Sequence, residues 1–335
     1  MEKRLFATYE GKEINEYVLK NEFIEAHIIN FGAILKNLIF DGVEVVCGFD
    51  TFEDYLTDTS YQGSIVGRYA NRIKGAEFSL NGKTYKLSLN EKARNNLLHG
   101  GFSGFNRKVW TVESASSNSV TLSLFSPDGD EGFPANLNVK VTYKIDGSAI
   151  AIDYEATPDA DTVIGMTNHA YFNLNGCSNG TVHSQKIRIN ADEYSAVDEN
   201  LIPVGHRSVE NTPFDLRELT EIGKWVGEDF SGYDHNFILN ESEKVNIAGF
   251  SLPLAAEATN DKITLSVYTD QPCVQIYAGV ALGGTPLFRN NGERVNHGAF
   301  CVEAQIEPNS PNMNRGFIKR GETYRQTTVY KLSKN

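Results

Sequence analysis

The chain has 335 residues, with 31 Lys and Arg against 43 Asp and Glu, so its formal net charge is −12 with histidine neutral. An average surface of that sign repels nucleic acid and anionic lipid, which excludes a general binder of either polyanion. Apolar residues make up 40%, and the 29 glycines and 10 prolines are an ordinary share for a globular protein, which excludes collagen-like, low-complexity and wholly disordered chains.

The chain carries no signal for export or membrane insertion. No stretch approaches the roughly 18 consecutive apolar residues that span a bilayer, and no apolar segment follows the basic residues near the N-terminus. We therefore expect neither a signal peptide nor a membrane anchor. The four cysteines are far apart, without Cys-x-x-Cys spacing, at Cys47, Cys177, Cys273 and Cys301. A chain of this length needs no disulfides to fold, so we expect reduced thiols and a cytoplasmic location.

Alternation of apolar and polar residues dominates the sequence, as is typical of half-buried strands. In chain order, the alternating runs predict strands at residues 43–46, 78–80, 85–87, 120–125, 137–143, 150–154, 263–269 and 274–277. The dipeptides Asp41-Gly42, Asn81-Gly82 and Asp146-Gly147 tolerate the positive φ of hairpin turns, so antiparallel pairing is expected. The one predicted helix is short and covers residues 216–226.

Nothing in the chain marks a domain boundary, because it has no fixed-period repeat, charge block or Pro/Gly/Ser-rich linker. A sheet of alternating strands has one apolar face, which must be buried, and one polar face, which can be exposed to solvent. Two sheets packed face to face bury both apolar faces. We therefore predict an all-β protein, a large and mainly antiparallel β-sandwich with few short helices, formed as a single domain over residues 1–335. The wetted face of one sheet is the expected place for a groove.

Five segments interrupt the alternation with closely packed polar, aromatic and glycine residues, as a binding site requires: 67–73, 98–101, 168–174, 233–237 and 301–312. Taken singly, each candidate residue has an ordinary structural explanation. His99 and His169 fit hydrogen-bonded structural histidines, and Arg72 fits an ion pair. Asp234 fits a turn carboxylate, and Glu303 fits a solvated strand residue. Only their combination points to a function.

In combination and in this order, the five segments resemble the aldose 1-epimerase, or galactose mutarotase, family. Four further segments extend the resemblance over most of the chain: 105–110, 127–134, 197–205 and 212–215. The resemblance implies the galactose mutarotase-like supersandwich, a β-sandwich whose groove holds a hexopyranose and interconverts its α and β anomers. It implies no cofactor and no metal. The implied partner is the small-molecule sugar, with neither nucleic acid nor a membrane.

The resemblance also implies roles for individual residues. Mutarotation takes a proton from the hydroxyl on C1 and delivers one to the ring oxygen, so two proton-transfer groups on opposite sides of one centre suffice. Glu303 occupies the family's general-base position and His169 its general-acid position, with His99 as a third catalytic residue near the sugar oxygens. The implied sugar-binding residues are Asn71, Arg72, His99, Tyr171, Asp234 and Gln275.

Reference pKa values give the expected charges of the proton-transfer pair. Values near 4.3 for glutamate and 6.5 for histidine predict a carboxylate at Glu303 and a partly protonated imidazole at His169 at neutral pH. A negative neighbour would favour the imidazolium further.

Three positions depart from the family pattern. Asn106 stands where aspartate is commoner, Ala135 where glycine is usual, and Met166 in the usual place of leucine. None of them removes an implied catalytic group, but they leave the preferred sugar and the shape of the groove open.

Other functions remain open at this point. His99, His169 and Glu303 would formally make a two-histidine, one-carboxylate set of the kind that binds iron, although no close-spaced ligand pair supports it. A relative acting on hexose 6-phosphates would need a cationic clamp for the phosphate, which the net charge does not exclude. A sugar-binding module of the same fold would need Arg72 and Asp234 but not a base and an acid together. A glycosidase is disfavoured because it needs paired carboxylates.

Overall fold

The computed structural model describes residues 2–335, and strands are most of the regular structure in that range. The first ten strands are β1 Glu2–Tyr9, β2 Lys12–Lys20, β3 Ile24–Ile29, β4 Ile34–Phe40, β5 Val43–Val46, β6 Ile65–Val66, β7 Arg72–Lys74, β8 Glu77–Leu80, β9 Lys83–Lys86 and β10 Asn96–Leu98. The next ten are β11 Thr111–Ala115, β12 Ser119–Ser126, β13 Leu137–Asp146, β14 Ala149–Pro158, β15 Thr162–Val163, β16 Thr167–Asn168, β17 Lys186–Ile189, β18 Glu193–Val197, β19 Pro203–Ser208 and β20 Thr220–Glu221. The last eight are β21 Asp234–Ile238, β22 Lys244–Ile247, β23 Phe250–Thr259, β24 Ile263–Thr269, β25 Cys273–Tyr277, β26 Cys301–Gln305, β27 Phe317–Ile318 and β28 Tyr324–Lys334.

Helices are few and short, as predicted. The α-helix is α1 Phe52–Thr57, and the 3-10 segments are Lys92–Arg94, Phe105–Arg107, Asp130–Gly132, Arg289–Asn291 and Ser310–Met313. The hydroxyl of Thr51 accepts a hydrogen bond from the amide of Asp54 at 3.2 Å and so caps the first turn of α1. Across residues 2–335 no helix has the length and apolar character to cross a membrane. The four cysteines are free thiols.

Three large antiparallel sheets organise the molecule. A ten-stranded sheet runs β11-β12-β13-β14-β28-β24-β23-β17-β20, with β22 paired to β23. Two five-stranded sheets run β1-β2-β3-β4-β5 and β19-β18-β21-β25-β26. Short two-stranded ladders join β6 to β16, β7 to β10, β8 to β9, and β15 to β27. The predicted all-β, mainly antiparallel fold class is confirmed.

The main apolar core forms between the sheets because alternate strand residues point to the same side. Val141 on β13 and Val302 and Ala304 on β26 belong to this core. Between them, Glu303 faces away from the core, beside its register partner Gln275 on β25. A polar row therefore lies on the outer face of this five-stranded sheet, near the loops that follow α1, β10 and β16. The single-domain organisation stays a prediction.

All eight predicted strands overlap observed ones. The segment 263–269 coincides with β24, while 120–125 and 137–143 lie within β12 and β13. The segment 85–87 extends one residue past its observed strand, since β9 covers Lys83–Lys86, and 150–154 is shorter than β14. Alternation located these strands because each has one covered face.

The predicted helix over 216–226 is wrong. Within it, Thr220–Glu221 form β20, which pairs with β17 at the edge of the ten-stranded sheet. The amide of Gly223 donates to the carbonyl of His183 at 2.9 Å instead of to the preceding turn of a helix. A Cβ on Gly223 would lie 2.5 Å from the Cβ of His183, so the backbone at Gly223 packs directly against His183.

Candidate active site

The three predicted catalytic side chains converge on one buried point above the polar face of β25 and β26. One nitrogen or oxygen atom from each of His99, His169 and Glu303 lies within 4.8 Å of the other two. Nε2 of His169 lies 3.6 Å from Oε2 of Glu303. The three residues are only 7%, 5% and 2% exposed. The structure therefore brings an imidazole and a carboxylate together in a place largely shielded from water.

The sheet positions the carboxylate side of this site. Glu303 on β26 pairs with Gln275 on β25, which pairs with Asn236 on β21. Asp234 lies two residues before Asn236 and so projects from the same face of the strand. Nε2 of Gln275 donates to Oδ1 of Asp234 at 2.7 Å. The predicted sugar-binding residues Asp234 and Gln275 are thus joined to each other and lie on the same face as Glu303.

Two loops bring His99 and Asn71 together. β10 pairs with β7, and the chain continues from β10 into His99. The amide of His99 donates to the carbonyl of Asn71 at 2.9 Å, and the amide of Asn71 donates to Nδ1 of His99 at 3.1 Å. Gly100 allows the loop to approach so closely, because a Cβ there would lie 1.9 Å from the carbonyl oxygen of Gly67.

The contact from Asn71 determines where the proton of His99 lies. A backbone amide can only donate, so Nδ1 of His99 accepts and the neutral ring carries its proton on Nε2. Burial, followed by the charges of His169 and Arg72, lowers the pKa of His99 well below its usual value. His99 is therefore a neutral ring that offers an N–H donor to a ligand.

The Nε2–H tautomer of His99 does not fit the two-histidine, one-carboxylate iron site that the sequence left open. A ligating imidazole needs a free lone pair, but Nδ1 of His99 is occupied by the amide of Asn71 and Nε2 carries the proton. His99, His169 and Glu303 form the one cluster of three potential metal-binding side chains in the described part of the chain. Its donor chemistry favours hydrogen bonding over coordination.

Burial controls the charges of Glu303 and His169. Loss of water, followed by the negative charge of Asp234, raises the pKa of Glu303 well above its usual value. Loss of water lowers the pKa of His169 to about 4. The expectation of a carboxylate at Glu303 and a partly protonated imidazole at His169 is therefore not met, since reference values take no account of desolvation. Both shifts favour the neutral form of each group, so a proton shared by the pair rests on Glu303 rather than on His169.

Tyr171 contacts His169 directly. Its ring stacks on the imidazole with centroids 5.0 Å apart, and its hydroxyl donates to the carbonyl of Ser60 at 3.0 Å. On the other side of His169, Sγ of Cys301 lies 3.5 Å from Nδ1. These contacts hold the imidazole in place. A direct contact between Tyr171 and a sugar stays a prediction.

Tyr61 was missed by sequence reasoning. Its ring centroid lies 4.6 Å from that of His99 and 6.0 Å from that of His169, so it covers both imidazoles. Its φ of 59° is unusual for a bulky side chain, and such backbone conformations cluster at functional sites. No sequence signal marked Tyr61, because its position depends on that local backbone.

Arg72 forms an ion pair with Glu91, which is the ordinary structural explanation that the sequence allowed for this residue. Its Nε donates to Oε2 of Glu91 at 3.0 Å, and its Nη2 donates to Oε1 at 3.0 Å. Both side chains are about nine-tenths buried, at 10% exposure each. Arg72 nevertheless pairs with Leu98, the residue before His99, and follows Asn71, whose amide donates to His99, so the ion pair lies beside the catalytic cluster. Glu91 was not among the predicted site residues.

Comparison with known proteins identifies the family of this chain. The chain matches the Aldose 1-epimerase family model over residues 15–331. The galactose mutarotase of Rattus norvegicus is 38% identical over 333 residues, covering 96% of this chain and 95% of the rat protein. The aldose 1-epimerase of Haemophilus influenzae is 39% identical over 296 residues, covering 84% of this chain and 83% of its own. The crystal structure of a galactose 1-epimerase from Lactobacillus acidophilus NCFM superposes with a TM-score of 0.88 at 28% identity, covering 100% of this chain and 98% of that one. The chain therefore belongs to the aldose 1-epimerase family.

Proposed function

We propose that this aldose 1-epimerase interconverts the α and β anomers of neutral hexopyranoses, galactose and glucose among them, with Glu303 as base and His169 as acid. The observation that supports these roles is the buried pair itself, with Nε2 of His169 3.6 Å from Oε2 of Glu303. The pair can give one proton to the ring oxygen and take one from the C1 hydroxyl, which are the two transfers that the reaction needs.

Ring opening transfers two protons and breaks one bond. Glu303 takes the proton of the C1 hydroxyl while His169 protonates the ring oxygen, and the bond between C1 and the ring oxygen breaks. The open-chain aldehyde then faces a protonated Glu303 and a neutral His169, the protonation state that burial favours. Rotation about the C1–C2 bond and reversal of both transfers closes the ring on the other face. No electrons are exchanged, so proton transfer alone accounts for the reaction.

Sugar binding must return the shared proton to His169 before the ring opens. Oε2 of Glu303 is buried without a hydrogen-bond partner among residues 2–335. A C1 hydroxyl donating to that oxygen would stabilise the carboxylate and so favour transfer of the proton to the imidazole. The unpartnered oxygen is thus the expected docking point of the anomeric hydroxyl.

The remaining side chains would hold and polarise the sugar. Asp234 can accept from two adjacent hydroxyls, and its hydrogen bond with Gln275 fixes the orientation of its carboxylate. The Nε2–H of His99 would donate to a sugar oxygen that gains negative charge as the ring opens. Asn71 and Arg72 would position the sugar beside it. Each of these groups binds without undergoing net proton transfer.

A hexose 6-phosphate is a poorer fit for this groove. The charge of Arg72 is matched by Glu91, and Asp234 adds a carboxylate to the same site. A phosphate dianion needs an unmatched cationic clamp, which this arrangement does not offer. A sugar-binding protein without turnover is also disfavoured. Binding alone would need hydroxyl-binding groups such as Asp234, but not a buried acid and base 3.6 Å apart.

Polarimetry on freshly dissolved α-D-galactose, α-D-glucose and glucose 6-phosphate tests the proposal. We expect the protein to accelerate the approach to anomeric equilibrium for the two neutral sugars well beyond the rate without protein. Acceleration of glucose 6-phosphate alone would reverse the assigned substrate class. A folded protein that accelerates none of the three would leave a sugar-binding protein without turnover.

A further inference from the structure

Glu91 is held firmly beside the catalytic cluster although it is not part of it. Both of its carboxylate oxygens accept from Arg72, and Oε2 also accepts from Nδ2 of Asn96 at 3.1 Å. That amide group of Asn96 donates in addition to the carbonyl of Asn200 at 2.9 Å. The backbone of Glu91 is fixed by an antiparallel bridge to Asn96. Glu91 therefore has one defined position from which to orient Arg72.

This arrangement limits what the guanidinium of Arg72 can do. The Nε–H and one N–H of Nη2 are occupied by Glu91, which leaves the second N–H of Nη2 and both of Nη1 available to a ligand. A two-point contact between a guanidinium and a carboxylate fixes the plane of the guanidinium as well as its distance. Glu91 thus sets the direction of the remaining N–H donors and offsets the positive charge of Arg72.

We infer that Glu91 is a positioning residue that determines the substrate class of the groove, by aligning Arg72 for a neutral sugar and cancelling the charge that would attract an anionic one. The inference rests on the proposed sugar-binding function of the same groove. Glu91 also pairs with Arg94, but Arg94 is exposed and screened by solvent, so within the site Glu91 offsets the buried charge of Arg72. The charge that an acidic sugar meets there is that of Asp234. A hexuronic acid such as galacturonate, which has the ring of galactose and a carboxylate in place of its C6 hydroxymethyl group, should therefore be rejected.

Glu91→Gln tests the inference because it keeps the size of the side chain and removes its charge. We expect kcat/KM for galactose to fall, since Arg72 loses its alignment. We expect the affinity for galacturonate relative to galactose, measured by titration calorimetry, to rise at least about tenfold, because an unmatched charge within 10 Å contributes about that much at an effective dielectric near 20. Glu91→Asp keeps the charge, so it should retain the rejection of galacturonate.

Salt gives a second readout that a merely structural role of Glu91 would not change. In the wild type, added salt should screen the repulsion and strengthen galacturonate binding, whereas in Glu91→Gln it should screen an attraction and weaken it. Arg94→Gln is the matched control, because Arg94 is an exposed partner of Glu91 that does not touch Arg72. It should leave the ratio of the two affinities unchanged.

The outcomes separate this inference from the proposed function. An unchanged galacturonate-to-galactose ratio in Glu91→Gln, or an equal change in Arg94→Gln, would overturn the role of Glu91 even if the wild type is an active mutarotase. Failure of the wild type to accelerate any sugar would instead reject the proposed turnover. The binding ratio and its salt dependence would still decide whether Glu91 controls the charge of the groove.

Discussion

Replacing Asp234 by asparagine tests whether Glu303 and His169 act as a pair that shares one proton. In this account the rate falls at low pH, where the pair gains a second proton, and at high pH, where it loses the last one. Burial is the largest cause of the raised pKa of Glu303, and the negative charge of Asp234 is the second. Asp234→Asn removes that charge and makes loss of the last proton easier. The high-pH limb should therefore move to lower pH.

The sheet geometry gives the size of this shift. Asp234 lies on β21 and Glu303 on β26, two strands away across the sheet. Asp234 is also offset by two residues along its strand from the position opposite Glu303. Together these offsets give a separation of about 12 Å. One unit charge at about 12 Å contributes about 1.4 kcal/mol at an effective dielectric near 20, or about one pKa unit. Asp234 is partly exposed, and screening by ordinary salt reduces this to about half a unit. We expect a shift of about half to one pH unit.

The assay is the pH dependence of kcat/KM for galactose, measured by polarimetry from neutral to alkaline pH. Asp261→Asn is the control, because Asp261 is an exposed carboxylate in the turn between β23 and β24. It should leave the profile unchanged. A high-pH limb of Asp234→Asn that does not move, or that moves to higher pH, would refute the assignment of the last proton to the Glu303 pair.

Three other predictions concern the surroundings of the pair. Histidine NMR on the sugar-free protein should show His99 as the Nε2–H tautomer, because the amide of Asn71 donates to Nδ1, and an Nδ1–H signal would contradict this. Tyr61→Ala should admit water and raise the pKa of His169 from about 4 toward its usual value, moving the low-pH limb to higher pH, whereas Tyr61→Phe should leave it in place. Arg68→Met should lower the free energy of unfolding in urea by about 2–3 kcal/mol, since it removes a donor from several buried carbonyls in and after β12, of which that of Pro134 keeps a second donor in Thr162. A loss below about 1 kcal/mol would show that those carbonyls find other partners.

Strands with one covered face were predictable from alternation, whereas β2 and β28, which are buried over most of their length, were missed although they are long. Segments such as 120–125 and 263–269 alternate because one face of their sheet is covered, and both lie on observed strands. Strands β6 and β16 have two residues each and are buried on both sides, so they have no period to detect. Helix α1 was also missed, although Thr51 followed by Asp54 is the pattern of an N-terminal cap.

The candidate site was predictable in composition but not in its charges. The polar segments identified His99, His169 and Glu303, and the structure brings them together. Their protonation depends on how much water each loses, which no spacing of residues reveals. Glu91 lies in a run of charged residues that is typical of a solvated surface, and only the pairing of β7 with β10 places it on Arg72.

The most direct test of the central claim is the turnover of Glu303→Gln on α-D-galactose, measured by polarimetry beside the wild type and a protein-free blank. The substitution keeps the size of the side chain but removes its ability to take the proton of the C1 hydroxyl. Because general acid-base catalysis contributes about 10²–10⁴-fold, kcat should fall by at least about 10² while calorimetry still detects sugar binding. A near-normal kcat would show that the carboxylate of Glu303 is not the base of the reaction.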